Sequence, residues 1–308
     1  MSETAVLLCG HGSRDSEAVG EFEEAAAALR SRLASLAPGA DFATGYLEFA
    51  RPTIGEGLAA LKARGARRIL AIPGMLFAAS HVKNDLPWEM NSFIAQNPGI
   101  EVHLGRDLGI EPKLLDAAAE RIAAAVPDGR ADTLLVVVGR GTNDPDANSN
   151  IAKIARMLWE GMGFGWAEAA FSGVADPRVG AALERSARLG FRRIVVFPYF
   201  LFTGVLVKRI YAQTDSVAAR FPDIEFVKAG YLRDHVRVID TFVDRIGEFT
   251  VGEPKMNCQL CKYRTRIIGY EDSVGTPQQG HHHHVRGAGV EQVDHHHPHP
   301  HDHHGDHR

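Results

Sequence analysis

Short apolar runs recur along the chain, each bounded by glycine, proline or charge, with helically spaced stretches between them. Ala5-Val6-Leu7-Leu8-Cys9 is the first run and reads as a buried strand. Residues 16–35 follow with helical spacing and an alanine run at 25–28. Phe42–Phe49 is a second strand. Arg51-Pro52-Thr53 punctuates it, and Thr53 can cap a helix running to about Arg64. Arg68–Pro73 is a third strand, residues 74–80 an apolar loop, and residues 81–96 a helix despite Pro87. Glu101–Leu104 is a fourth strand, and residues 111–126 a helix with proline near its start. Strands alternating with helices predict an α/β fold built of right-handed βαβ units on a parallel sheet.

The pattern then repeats. Gly10-His11-Gly12-Ser13-Arg14-Asp15 is mirrored by Gly139-Arg140-Gly141-Thr142-Asn143-Asp144. Pro73-Gly74-Met75-Leu76-Phe77 is echoed 125 residues later by Pro198-Tyr199-Phe200-Leu201-Phe202. Arg67-Arg68-Ile69 and Pro52 have counterparts at the same offset, Arg192-Arg193-Ile194 and Pro177. The repeat predicts two duplicated Rossmann-like or flavodoxin-like lobes, 1–127 and 128–250, with a cleft between them and a tail at 251–308. The boundary falls at the turn-rich Pro127-Asp128-Gly129.

Composition narrows the function. The net charge of -4 argues against nucleic-acid binding, and no apolar run approaches the ~20 residues of a membrane helix. Three cysteines cannot build a disulfide framework, and the chain opens without a leader pattern, so a reducing cytoplasmic setting is expected. Of the 16 histidines, twelve lie in residues 281–307, leaving His11, His81, His103 and His235 for the rest.

His11, Glu48 and His81 each follow a strand of the first lobe, and in a parallel sheet such positions share one edge. Two imidazoles and a carboxylate suit Co²⁺, Fe²⁺, Ni²⁺ or Zn²⁺, and also proton removal near neutral pH. Residues 75–79 are apolar and could line a pocket for a flat ligand. In the repeat the three become Arg140, Gly173 and Leu206, which predicts one working site, with the second lobe as its wall. His103 and His235 have no such support and read as structural. Arg14, Arg51 and Lys83 neighbour the three site residues and could pair with an acidic substrate, or be ordinary solvated charges.

The runs Cys9–Asp15 and Ser80-His81-Val82-Lys83-Asn84-Asp85-Leu86-Pro87, with the Glu48 segment between them, resemble the sirohydrochlorin cobaltochelatases. These are class II chelatases related in fold to ferrochelatase, and the resemblance spans about residues 5–250. It implies insertion of Co²⁺ into the tetrapyrrole sirohydrochlorin on the early-cobalt route to cobalamin. It maps the family's two histidines onto His11 and His81, and its acidic residue onto Glu48. No nucleotide is consumed in this class, and the chain has no Gly-x-x-x-x-Gly-Lys-Ser/Thr loop. The close alternative is sirohydrochlorin ferrochelatase. The alternative from another class is a metal storage or chaperone protein whose working part is the tail.

Cys258-Gln259-Leu260-Cys261, preceded by Met256, resembles a Met-x-Cys-x-x-Cys sequence that long family members associate with an iron–sulfur cluster. Two thiolates fall short of the usual four, so other ligands or a second copy in a homodimer would have to complete it. A redox pair and half a zinc site are the alternatives. The histidine-rich segment reads as a disordered metal reservoir, or as a purification tag.

Overall fold

A computed structural model describes residues 3–251, 263–264 and 271–276. The strands β1 (Thr4–Gly10), β2 (Asp41–Tyr46), β3 (Arg68–Pro73) and β4 (Glu101–Leu104) form a parallel sheet in the order β2-β1-β3-β4. A second parallel sheet repeats it as β6-β5-β7-β8, from β5 (Thr133–Gly139), β6 (Trp166–Phe171), β7 (Arg193–Pro198) and β8 (Glu225–Lys228). The two-lobed α/β expectation is therefore met.

Alternation along the strands divides the core. Val6, Leu8, Leu70 and Ile72 point into the same apolar cluster as Leu135, Val137, Val195 and Phe197, so the lobes share one core between their sheets. The opposite faces, Leu7, Ile69 and Ala71 in one lobe and Val136, Ile194 and Val196 in the other, pack separate outer cores. Both faces of each central strand are covered, which is why these strands read as unbroken apolar runs.

Two departures from the sequence reading position the site. Strand β2 ends at Tyr46, and residues 47–50 bend, with Phe49 at φ +61°. Glu48 thus stands in a turn. Residues 81–96 are not one helix: His81–Asp85 form a π-turn, and α3 (Leu86–Gln96) carries Pro87 in its first turn, where a missing N–H costs nothing. The repeat shows the π-turn to be a one-residue insertion. Lys83 N donates to Ala79 O as Lys208 N does to Gly204 O, an offset of 125, whereas Asn97 N to Ile94 O matches Phe221 N to Ala218 O at 124. Such insertions into α-helices recur at functional sites. At the first strands the offset is 129, Gly10 matching Gly139, because α1 (Ser16–Leu36) and its exit loop outrun α5 (Pro145–Met162) and its own by four residues.

A pseudo-twofold pair of lysines joins the lobes. Lys83 Nζ lies 2.9 Å from Asp144 Oδ2 and 2.9 Å from Asp146 Oδ2. Its counterpart Lys208 lies 2.7 Å from Asp15 Oδ2 and 2.8 Å from Glu17 Oε2. Asp15 and Asp144 are also the N-caps of α1 and α5. The pairs differ in exposure: the Lys83 side chain is 0% exposed and that of Lys208 53%. Burial works against the Lys83 ammonium, but the hydrogen bonds and charge of Asp144 and Asp146 outweigh it and raise its pKa.

Helix α8 (Val236–Val251) of the second lobe crosses back onto β3, α1 and α4 (Pro112–Ala125). Its buried Arg245 donates to Asp107 O at 2.9 Å, to Leu108 O, to Glu111 at 2.5 Å and to Glu248 at 2.7 Å. The neighbouring Asp107 carboxylate accepts from Ala78 N at 2.9 Å, three residues before His81.

Replacing Lys83 with Met strands the buried Asp144 carboxylate and removes the partner of the half-buried Asp146, and should lower unfolding free energy by about 3 kcal/mol. Lys208→Met should barely move the urea midpoint, since its pair is solvated. A second expectation concerns Asp107, whose carboxyl burial pushes up to about 6 against the pull of Ala78 N–H and Arg245. Its unfolded value is near 3.9, so the folded state holds this proton more tightly. The associated stability is present below about pH 4 and lost as pH rises through about 6, roughly 3 kcal/mol in all. Asp107→Asn should therefore gain on the wild type in urea unfolding as pH rises from 4 to 7.

Candidate active site

A cavity of about 830 Å³ opens between the lobes where the strands' carboxyl ends face each other. Phe77 of the first lobe stacks on Tyr199 of the second at 5.9 Å and 10°, and Phe22 meets Phe202 edge-on at 5.7 Å. All four line the cavity, so its wall is aromatic and drawn from both lobes. The buried Tyr199 hydroxyl has no hydrogen-bond partner among the described residues.

His11 leaves β1 in a turn set by Gly12. Gly12 takes φ +88°, and a Cβ there would sit 1.7 Å from Glu48 O. Glycine is required, because the β1–α1 turn lies directly on the backbone that follows β2. Glu48 N in turn donates to His11 O at 3.0 Å. Gly141 repeats this at φ +82°, 1.9 Å from Gly173 O, and Val174 shares the φ of Phe49. The strained turn therefore belongs to the scaffold of both lobes, and only its side chains make one lobe different.

The structure brings His11 and His81 together, with ring centroids 4.7 Å apart at 83°. His11 Nδ1 is 2.9 Å from Gly12 O, and a carbonyl only accepts, so Nδ1 carries the proton. His81 Nδ1 is 2.7 Å from Asp85 Oδ2, and Asn84 Nδ2 donates 2.9 Å to the other Asp85 oxygen. The π-turn thus supplies the carboxylate that orients its own histidine, leaving Nε2 with the lone pair. These tautomers follow from the partners.

The other expected residues fare differently. Glu48 is 3% exposed and lies behind the cavity wall. It does not join the histidines in a cluster: among the described residues no three of His, Cys, Asp and Glu converge to hold a metal. Arg14 lines the cavity, its guanidinium 5.0 Å over the Phe49 ring. Arg51 and Lys83 are corrected as substrate ligands. Arg51 bonds to Glu56 at 2.6 Å on the outer surface, and Lys83 is buried against Asp144 and Asp146. His235 pairs with Glu120 at 3.0 Å and His103 packs near Phe249, both away from the cavity. Cys9 is fully buried and burial raises its thiol pKa, which disfavours a ligand thiolate. Cys258, Cys261 and the histidine-rich segment lie outside the described residues.

Two arginines outside the expected set also belong to the site. Arg140 and Arg209 line the second-lobe side. Arg140 Nη2 lies 3.2 Å from His11 Nε2. Protein crowding lowers its guanidinium pKa, which the charge of Glu48 partly restores. The repeat already sets Arg140 opposite His11, and the exchange of an imidazole for a guanidinium at that position is the sequence signal for a cation in the site.

The CbiX family model matches residues 5–125 and 134–249, one match per lobe. The chain is 36% identical over 272 residues to the sirohydrochlorin cobaltochelatase of Priestia megaterium, with 87% of each chain covered. It is 29% identical over 245 residues to the sirohydrochlorin ferrochelatase of Bacillus subtilis (strain 168), covering 79% of this chain and 91% of that one. Among solved structures, SirB from Bacillus subtilis with Fe³⁺ superposes with a TM-score of 0.71 at 25% identity, covering 80% of this chain and 95% of that one. SirB from the subspecies spizizenii in complex with cobalt gives 0.65 at 26%, with the same coverage. With both lobes matched, the chain belongs to the CbiX family and is a metal chelatase.

Proposed function

We propose that the chain inserts Co²⁺ into sirohydrochlorin, without a nucleotide, on the early-cobalt route to cobalamin. The observation that carries this is the pair of imidazoles 4.7 Å apart on the wall of an aromatic cavity large enough for a macrocycle. The tetrapyrrole lies flat against Phe77, Tyr199 and Phe202, and its carboxylates meet Arg14, Arg140 and Arg209. His11 and His81 present the ion to one face of the ring through Nε2. Two protein ligands are a weak hold, which suits a site that must surrender its ion to four ring nitrogens. As M²⁺ enters, two N–H protons leave the macrocycle, so charge is conserved. As the ion passes to the ring it frees Nε2 of His11 and of His81, and each imidazole accepts one of the two protons, with the buried Glu48 offsetting the added positive charge. Cobalt is preferred to iron because the similarity to the cobaltochelatase reaches further along the chain than that to either ferrochelatase.

The same reading extends to the tail, where Cys258 and Cys261 are proposed to hold an iron–sulfur cluster, completed by a second copy or other ligands. The histidine-rich segment would then be a metal reservoir. In the described residues no helix is long and apolar enough to cross a membrane, in keeping with work in the cytoplasm.

His11→Ala and His81→Ala should each cut the insertion rate by about 100-fold or more while the urea midpoint holds. Near-normal rates in both would defeat the assignment. Metal choice is read from macrocycle absorbance with Co²⁺, Fe²⁺ and Ni²⁺ in turn, under anaerobic conditions. The fastest turnover is expected with Co²⁺, and faster turnover with Fe²⁺ would make the chain a ferrochelatase. Chain ending at Gly280 should keep catalysis at saturating metal, whereas a storage protein would lose its function.

A further inference from the structure

Arg140 stands where the second lobe repeats His11, and its guanidinium reaches across the cavity to the ring nitrogen that would bind metal. The chemistry of that contact is unambiguous. Gly12 O fixes the proton on Nδ1, and a guanidinium has no lone pair, so Arg140 donates and His11 Nε2 accepts. His11 has no other lone pair to offer a metal. Arg140 and an ion are therefore mutually exclusive at Nε2, by occupancy and by like charge. We propose that Arg140 is a latch: it holds the His11 Nε2 lone pair until a carboxylate of the incoming tetrapyrrole draws it away, so the two-histidine metal site is complete only when the macrocycle is present. This rests on the reading of His11 as a metal ligand.

Three features support the latch. The Arg140 backbone is fixed, since Gly173 N donates to its carbonyl at 3.0 Å and Gly141 is pressed against Gly173 O, while its side chain is exposed and lines the cavity. Among the described residues Arg140 forms no ion pair, and Glu48 acts on it only through its charge. A two-pronged bond to a substrate carboxylate is stronger than a single bond to a neutral imidazole, so the exchange runs downhill when an acidic macrocycle arrives. The device also has a chemical use. It keeps a loosely held divalent ion from settling on the histidines before an acceptor is in place.

The test uses the full chain, so that the histidine-rich tail is the same in every sample. Co²⁺ binding without tetrapyrrole is measured by competition against a coloured chelator for the wild type, Arg140→Ala, Arg140→Gln, His11→Ala and the Arg140→Ala/His11→Ala pair. The His11-dependent affinity should rise about tenfold in both Arg140 variants, and the rise should vanish in the double variant. The KM for sirohydrochlorin should rise severalfold in the same variants while the KM for Co²⁺ stays put, because the macrocycle has already displaced the latch. Unchanged Co²⁺ affinity in the Arg140 variants, with His11→Ala inactive, overturns the latch and leaves the ligand reading standing. An active His11→Ala overturns both.

Discussion

One buried ammonium ties this molecule together. Lys83 lies in the π-turn two residues after His81, and its charge is neutralised by Asp144 and Asp146 at the start of α5, a few residues past Arg140. A charge removed from water must keep its partners or the fold loses stability. The π-turn of one lobe and the helix N-terminus of the other are thereby locked in register. Every cross-lobe distance in the site, including the contact between His11 and Arg140, is measured across that lock.

The duplicated scaffold explains how such a site can exist. Two lobes related by a pseudo-twofold axis face each other through their strand ends, so each contact across the axis has a counterpart on its other side. Where the counterparts are alike, as with the N-cap carboxylates and the lysines, the result is a pair of clasps. Where they differ, the axis becomes a place for chemistry: imidazole faces guanidinium, and the π-turn of one lobe has a plain helix, α7 (Val205–Ala218), as its counterpart in the other. The clasps themselves have diverged. The one beside His81 is dry, and the one on the far side is open to water. The dry clasp anchors the turn that carries His81.

Helix α8 adds a second constraint. It begins in the second lobe and packs on the first, where Arg245 closes the loop after β4. That loop carries Asp107, which holds Ala78 and so the approach to His81. The lobes therefore share a core, a crossing helix and a buried ion pair, and the cavity is a property of the whole chain.

Much of this was legible in the chain itself. Strands buried on both faces cannot hide among polar residues, so β1, β3 and β5 are plain in the sequence, and Thr53 marks the start of its helix as an N-cap. The Gly-His-Gly turn and its repeat marked the sheet edge, because only glycine tolerates the carbonyl that Gly12 meets. The two histidines followed from that edge. What spacing could not show was which charge each arginine and lysine would find. Arg51 meets Glu56 five residues on, Lys83 meets carboxylates some sixty residues away, and Arg140 meets His11 from the other lobe. Local sequence determines backbone turns and the burial of apolar faces, because those forces act along the chain or without direction. Partners of long charged side chains depend on which surfaces the lobes bring together, and that was decided only by the packed structure.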